Sequence, residues 1–304
     1  MSPFPSTHYK FIDYATQVYL LAAGLLILFF HNGQVPHWRL LLSAHLAAIL
    51  GIHLLVRVQA AFPRRRGLDM LRHFYPILLY TGFYCETGLL NRMFVSNYLD
   101  PFFFRLDGRI FGFQPSIVFM ERLPFLPLSE LLYAAYFSYY VMIVGIGIAL
   151  YLQDRERFFH YLTIISLVFY VCYLLFIILP VAGPPVFWME SPEFLAANGL
   201  PLLRLEFPAA IQVGPFFNTM RVIYAHFEPR GGAFPSSHVA IALCTLYFSW
   251  RYLRRIRYVH LAAVVLLCLA TVYCRYHYAV DVLGGFVSAA LLIPLGERLY
   301  RKSG

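Results

Sequence analysis

"CRYHYAVD", residues 274–281, is a short polar turn between two long apolar runs, and its reading decides the fold. The flanking runs, 258–274 and 278–296, each approach the length of about 17–25 residues that crosses a bilayer. Between them there is room only for a tight turn, so the two cross the same membrane side by side, with the turn at one face. Working outward, six further apolar runs lie at 14–30, 40–56, 74–90, 128–150, 158–180 and 236–250. The chain is 60% hydrophobic and 13% charged over 304 residues, more apolar surface than a soluble domain of that size can cover. The expectation is an all-α, polytopic membrane bundle of about eight transmembrane helices.

"MSPFPSTHYKF" has no charged n-region and no small-residue cleavage site, so the first span is expected to stay as an anchor. Cys85, Cys172, Cys244, Cys268 and Cys274 fall within or at the ends of apolar spans and read as small hydrophobes, not as a disulfide or zinc framework. A net charge of +9 would suit nucleic acid, but the arginines punctuate span ends and no nucleic-acid partner is expected. Arg57, Arg64, Arg65, Arg66 and Arg72, then Arg155 and Arg157, then Arg251, Arg254, Arg255 and Arg257, then Arg298, Arg301 and Lys302 all fall on one side of an eight-span chain. Positive-inside bias makes that side, and both termini, cytoplasmic. The connections 91–127 and 181–235 and the turn at His277 then face outward. Arg92, Arg105, Arg109, Arg122, Arg204, Arg221, Arg230 and Arg275 lie on the disfavoured outer side, where anion binding or headgroup anchoring accounts for them.

The chain shows no repeat and no linker, and reads as one folding unit in two parts. Residues 1–127 hold three accessory spans and a polar join; residues 128–304 hold a five-span core. In the join, Phe103, Leu106, Ile110 and Phe113 recur at helical spacing with Arg105 and Arg109 off the stripe, which predicts an amphipathic helix at the outer interface. The 181–235 connection opens with helix-ending "PVAGPPVFW", and its apolar content predicts ordered packing, as in a lid.

Two stretches carry chemistry. His277 and Asp281, four residues apart, share one face of a helix, and the carboxylate can accept a hydrogen bond from one imidazole nitrogen. That fixes the tautomer and leaves the other nitrogen free. In lipid such a pair is costly and marks a functional site, the plain alternative being a pair that only satisfies itself. The second stretch, "GGAFPSSHVA" at 231–240, puts Pro235, Ser236, Ser237 and His238 at the start of a span. Serine is a favoured N-cap, and helix N-termini favour phosphate. Both histidines fall at outward ends of consecutive helices. Together with Asp281, the serines and nearby arginines they suit phosphoryl transfer: one histidine attacks phosphorus, the other protonates the leaving oxygen, and arginines hold the charged oxygens.

These residues resemble the type 2 phosphatidic acid phosphatase and haloperoxidase superfamily. Its Pro-Ser-x-His motif is matched by Pro235, Ser236, Ser237 and His238, and its His-x-x-x-Asp ending by His277 and Asp281. The resemblance implies a helical core of five to six helices over roughly 128–298. It implies His277 as the nucleophile forming a phosphohistidine, Asp281 as its orienting group, His238 as general acid, and Ser236 and Ser237 beside the phosphate. No metal or other cofactor is implied. The superfamily's first motif, a lysine with Arg-Pro seven residues on, is missing, and its usual arginine six residues before the nucleophile is Thr271 here. Arg275, Arg230 and Arg221 are the candidate substitutes. Loss of the first motif with "HYAVD" kept is similar to the inositol phosphorylceramide and sphingomyelin synthase branch, as is "LDGRIFGFQPS" with Asp107 and Arg109.

The leading expectation is therefore a lipid phosphotransferase that moves a phospho-headgroup between a membrane phospholipid and a lipid alcohol at the outer leaflet. A phosphatase of the same superfamily, in which water replaces the alcohol, is the alternative. From another class stands a lipid transporter or scaffold, for which Glu86 in the third span is the best argument; a packing carboxylate bonded to Arg, Tyr or a hydroxyl is the plainer reading of that residue. Donor, acceptor and oligomeric state stay open at this point.

Overall fold

The computed structural model describes residues 8–303; the MSPFPST stretch, part of the segment in which no signal peptide is expected, and Gly304 lie outside the described residues. Thirteen helices and no strand occur among the described residues. They are α1 (Phe11–Phe30), α2 (Trp38–Ala61), α3 (Arg66–Leu90), α4 (Asp100–Phe111), α5 (Pro115–Arg122), α6 (Leu126–Gln153), α7 (Arg155–Ile178), α8 (Val186–Met189), α9 (Pro192–Ala197), α10 (Pro215–Phe227), α11 (Ser237–Tyr252), α12 (Arg257–Tyr273) and α13 (Ala279–Ser303). All eight expected spans are helices, and α1, α2, α6, α7 and α13 are each long and apolar enough to cross a membrane. The other three depart for physical reasons. α3 is long but carries Arg66, Asp69, Arg72 and Glu86. At a rise of 1.5 Å per residue, the 16 residues of α11 and 17 of α12 span only about 24–26 Å, short of a hydrocarbon core of about 30 Å.

The centre of the bundle is α7, which packs against α1, α3, α6, α11 and α13 and buries residues on every face from Phe158 to Ile177. A helix that is apolar all round belongs in such a place. α2 lies at the edge, burying only His45, Ile52 and Val56, and packs on α1 and α3. Leu21, Phe29, Leu50, Val141, Ile148 and Leu291 stay exposed on the outward faces, as expected where lipid is the solvent. All five cysteines are free.

Several residues sit differently from their sequence reading. Arg72, expected among the basic groups flanking a loop, is buried and pairs with Asp13, which also accepts from Tyr75 Oη at 2.7 Å. A charge at that depth persists only with such a partner. Glu86 meets His45 Nε2 at 3.4 Å between α3 and α2, so its partner is a histidine. The amphipathic helix forms as α4, but Ile110 and Phe113 are exposed; its inward face is Phe103 with the fully buried Asp100 and Asp107. The 181–235 connection is ordered, holds α8, α9 and α10, and lays α10 against α6.

Candidate active site

Two backbone approaches bring the motifs together. α11 and α13 cross where Gly285 sits: a Cβ there would lie 2.7 Å from the Ser236 carbonyl oxygen and 2.8 Å from Val239 Cβ. The Ser236 amide donates to the Asp281 carbonyl oxygen at 3.0 Å, and Ser236 caps α11 through its hydroxyl. Alongside, the segment after α7 pairs with the glycine stretch, Ala233 N donating to Val181 O at 2.8 Å and Val181 N to Gly231 O at 3.2 Å. Gly231, at φ 98°, supplies the left-handed turn that this pairing needs.

Both pieces are pinned from below by α4. Asp107 accepts from the amides of Ala279 and Val280 at 3.1 and 2.8 Å, satisfying the open N-terminus of α13. Asp100 accepts from the amides of Ala182 and Gly183 at 2.8 and 2.7 Å and from Tyr278 Oη at 3.1 Å. Burial pushes the Asp100 carboxyl up to about 7 against the pull of these donors, and raises Asp107 as well. Asp107 therefore has a structural place that its sequence did not give it. The signal was available: two aspartates seven residues apart on an otherwise apolar helix face.

His277 stands in the turn between α12 and α13. Its Nδ1 lies 3.0 Å from the Ala233 carbonyl oxygen and 3.4 Å from Asp281 Oδ2, so the backbone carbonyl is its closer partner and Asp281 the second. Asp281 Oδ2 itself accepts the Tyr278 amide at 2.9 Å. His277 Nε2 faces His238 Nδ1 at 3.5 Å and Ser236 Oγ at 3.4 Å. Burial holds the His277 ring down to about 4, with the Glu228 charge and the Ala233 carbonyl working the other way. The ring is neutral at pH 7, with an unprotonated Nε2. His238 Nε2 meets Tyr136 Oη at 3.1 Å, and the two rings stack at 4.7 Å.

Two cavities meet at this pair. One, of about 190 Å³, is lined by His277, His238, Glu228, Arg230, Tyr224 and Tyr84. The other, of about 220 Å³, runs among α3, α6 and α7 and is lined by Tyr80, Tyr139, Ile143, Phe169 and Tyr173. His238, Glu228 and Tyr84 belong to both, and Tyr84 Oη donates to Glu228 Oε2. Burial raises the Glu228 carboxyl, opposed by the Tyr84 hydrogen bond and by His277. Ser237 lines the apolar cavity, while Ser236 is the serine beside His277. Glu86 lines neither cavity.

The three candidate arginines are not gathered together. Arg230 lines the polar cavity and pairs with Glu190 at 2.6 Å. Arg275 is fully buried at φ 63° and turned away, its guanidinium donating to Glu206 O at 2.9 Å and Ile117 O at 3.3 Å and meeting Glu121 at 3.4 Å. Those acceptors tie the turn to α5 and the long connection. Arg221 lines a neighbouring cavity with Trp188, Phe207 and Tyr224. Tyr136, Tyr84 and Glu228 are contacts that sequence reasoning missed, since they come from three separate helices or their ends; only "FEPR", just ahead of the glycine pair, lay near a motif.

No curated protein and no solved structure matches this chain. A family model described as the PAP2 superfamily matches residues 104–295, from within α4 to within α13, and so takes in both histidines, Asp107 and the long connection while leaving out α1–α3. With the match running over well over half its length, the chain belongs to the PAP2 superfamily.

Proposed function

We propose that this protein is an integral membrane lipid phosphotransferase, similar to the sphingolipid-synthase branch, that passes a phospho-headgroup from a phospholipid to a lipid alcohol through a phosphohistidine. Membership of the superfamily supports a phosphatase-like function on lipid phosphates. The observation that carries the finer reading is the meeting of His277 Nε2 and His238 Nδ1 at 3.5 Å where a polar and an apolar cavity join. In the first step His277 Nε2 bonds to phosphorus as the phosphorus–oxygen bond to the donor's alcohol breaks, and His238, as the imidazolium, gives that oxygen its Nδ1 proton and is left neutral with a bare Nδ1. In the second an acceptor hydroxyl attacks phosphorus, its proton goes to His238, and the phosphorus–nitrogen bond breaks, restoring His277. The 3.5 Å gap leaves no room for a phosphoryl group between the rings, so they separate when the donor enters.

The charge balance of the polar cavity favours a diester. Its one arginine is already paired with Glu190, and Glu228 adds a carboxyl, so little surplus positive charge meets the anion. A monoester dianion would be poorly compensated there, whereas a diester monoanion asks for less. The apolar cavity at the same histidine supports a lipid partner. Hydrolysis of the same intermediate is the second reading, favoured by Arg230, which is 55% exposed and brings water to the rim. We place the histidine end at the outer leaflet and both termini in the cytoplasm, because the connection α11–α12 and the end of α13 concentrate Arg251, Arg254, Arg255, Arg257, Arg298 and Arg301 at the opposite end.

Purified protein given labelled phospholipid, with and without ceramide or diacylglycerol, tests the assignment by mass spectrometry of products. A new phosphodiester lipid that depends on the added alcohol is the expected result. A phosphomonoester or free headgroup phosphate as the sole product would reassign the protein to hydrolysis. Full turnover in His277→Ala would remove the phosphohistidine altogether.

A further inference from the structure

The chemistry above needs His238 to turn a proton-bearing nitrogen toward the reacting oxygen, and the hydrogen bonds around the pair allow one consistent arrangement. The carbonyl oxygen of Ala233, 3.0 Å from His277 Nδ1, can only accept, so that nitrogen holds the proton of the neutral ring and Nε2 is a bare acceptor. His238 Nδ1, 3.5 Å away, is then the donor of the pair. A neutral imidazole with its proton on Nδ1 has a bare Nε2, and the group facing His238 Nε2 at 3.1 Å is the Tyr136 hydroxyl. Tyr136 therefore donates to His238, and its oxygen accepts in turn from the Tyr224 hydroxyl at 2.8 Å. Reversing the link between the histidines, or the one between Tyr136 and His238, sets two lone pairs face to face.

We propose that Tyr136 is a positioning residue that locks the resting, donor-free His238 in the Nδ1–H form, with Tyr224 of α10 orienting the Tyr136 hydroxyl. Which ring nitrogen carries the proton is set by the hydrogen bond the other one makes. The lock works against the preference of a free histidine side chain, which keeps its proton on Nε2. Tyr136 is fully buried on α6 and stacked on the imidazole, so water does not stand in for its hydroxyl. When His238 takes a second proton the same hydroxyl rotates and accepts from Nε2–H; that imidazolium is the acid, its Nδ1 proton still turned toward the reacting oxygen, so one contact serves both charge states. This also gives the long connection a task at the site, since α10 carries Tyr224. Only the kinetic consequence rests on the phosphohistidine reading; the position of the proton does not.

Nitrogen-15 NMR of the histidine-labelled full chain in nanodiscs reads the lock directly, the His238 signals being identified by their loss in His238→Gln. The parent should show a protonated Nδ1 and a bare Nε2, and Tyr136→Phe, in which only the long 3.5 Å contact to His277 still holds the proton, should populate the Nε2–H form as well. A parent with Nε2–H, or a Tyr136→Phe spectrum unchanged from the parent, overturns the proposal. Kinetics supply the second arm. Tyr136→Phe should lose about 10–100-fold on a phospholipid donor, whose alkoxide needs the proton, and less than about threefold on a 4-nitrophenyl phosphodiester, whose leaving group does not. Equal losses on both substrates would mean that Tyr136 only packs. Tyr224→Phe, which leaves the Tyr136 hydroxyl in place, should show the same split at smaller size and guards against a Tyr136 variant that folds poorly. Turnover that survives His277→Ala would sink the phosphohistidine reading while leaving the NMR result to stand.

Discussion

At one end of the bundle His277 Nδ1 lies 3.4 Å from Asp281; at the other His160 Nε2 lies 2.7 Å from Glu297. Both histidines are buried, and by distance alone the second pair is the better ion pair. What separates them is the rest of each ring's surroundings. His160 has its other nitrogen on Tyr252 Oη at 3.0 Å, and Glu297 also takes Tyr247 Oη at 2.8 Å and Arg251 at 3.0 Å, so every group is occupied. His277 spends Nδ1 on a carbonyl and a carboxylate and turns Nε2 toward His238 beside a cavity. A buried histidine–carboxylate pair is thus no sign of chemistry by itself; an unprotonated nitrogen facing space that a substrate can fill is.

The largest test of that contrast is a pair of alanines. His277→Ala should cost at least about 10⁴-fold in turnover, as loss of the proposed nucleophile would, while His160→Ala changes turnover by less than about threefold and shows itself in the melting temperature. Comparable kinetic losses would erase the distinction between the two ends. Next comes His238→Gln, expected to lose about 10²–10⁴-fold on phospholipid in a product assay, the usual range for a general acid. Smaller and sharper is the division between arginines. Arg230→Ala should raise KM about tenfold with kcat nearly kept, whereas Arg275→Ala should lower the melting temperature through its lost carbonyl contacts, which substrate titration and thermal melts separate.

The smallest expected effect is in pH dependence. Burial holds His277 at about 4 instead of 6.5, so the ring stays neutral and nucleophilic as pH falls from 7 to 5 and gains its proton only near 4. The acid limb of kcat/KM assigned to this nitrogen should therefore centre near pH 4. An acid limb centred near 6.5 in the parent protein would show a solvated imidazole and no dry site.

The eight apolar runs, the two histidines and the serine cap were legible because each is local. A helix long enough to cross lipid and an i, i+4 pair are written in consecutive residues. Asp107 stood out as a residue type without a role, since its partners, the amides of Ala279 and Val280, lie far along the chain. The arginines show the other side of this. Sequence proximity to His277 recommended Arg275, yet a left-handed turn and buried carbonyls take its guanidinium elsewhere, and only Arg230 reaches the cavity.

Composition and periodicity by themselves determined an all-α membrane bundle, because burying backbone and apolar surface in lipid permits few other solutions. Only the tertiary structure decided which nitrogen faces which. Ala233 O, Tyr136 and Glu228 reach the histidines from a loop, from α6 and from the end of α10, and proton positions follow from such through-space contacts that no spacing along the chain encodes.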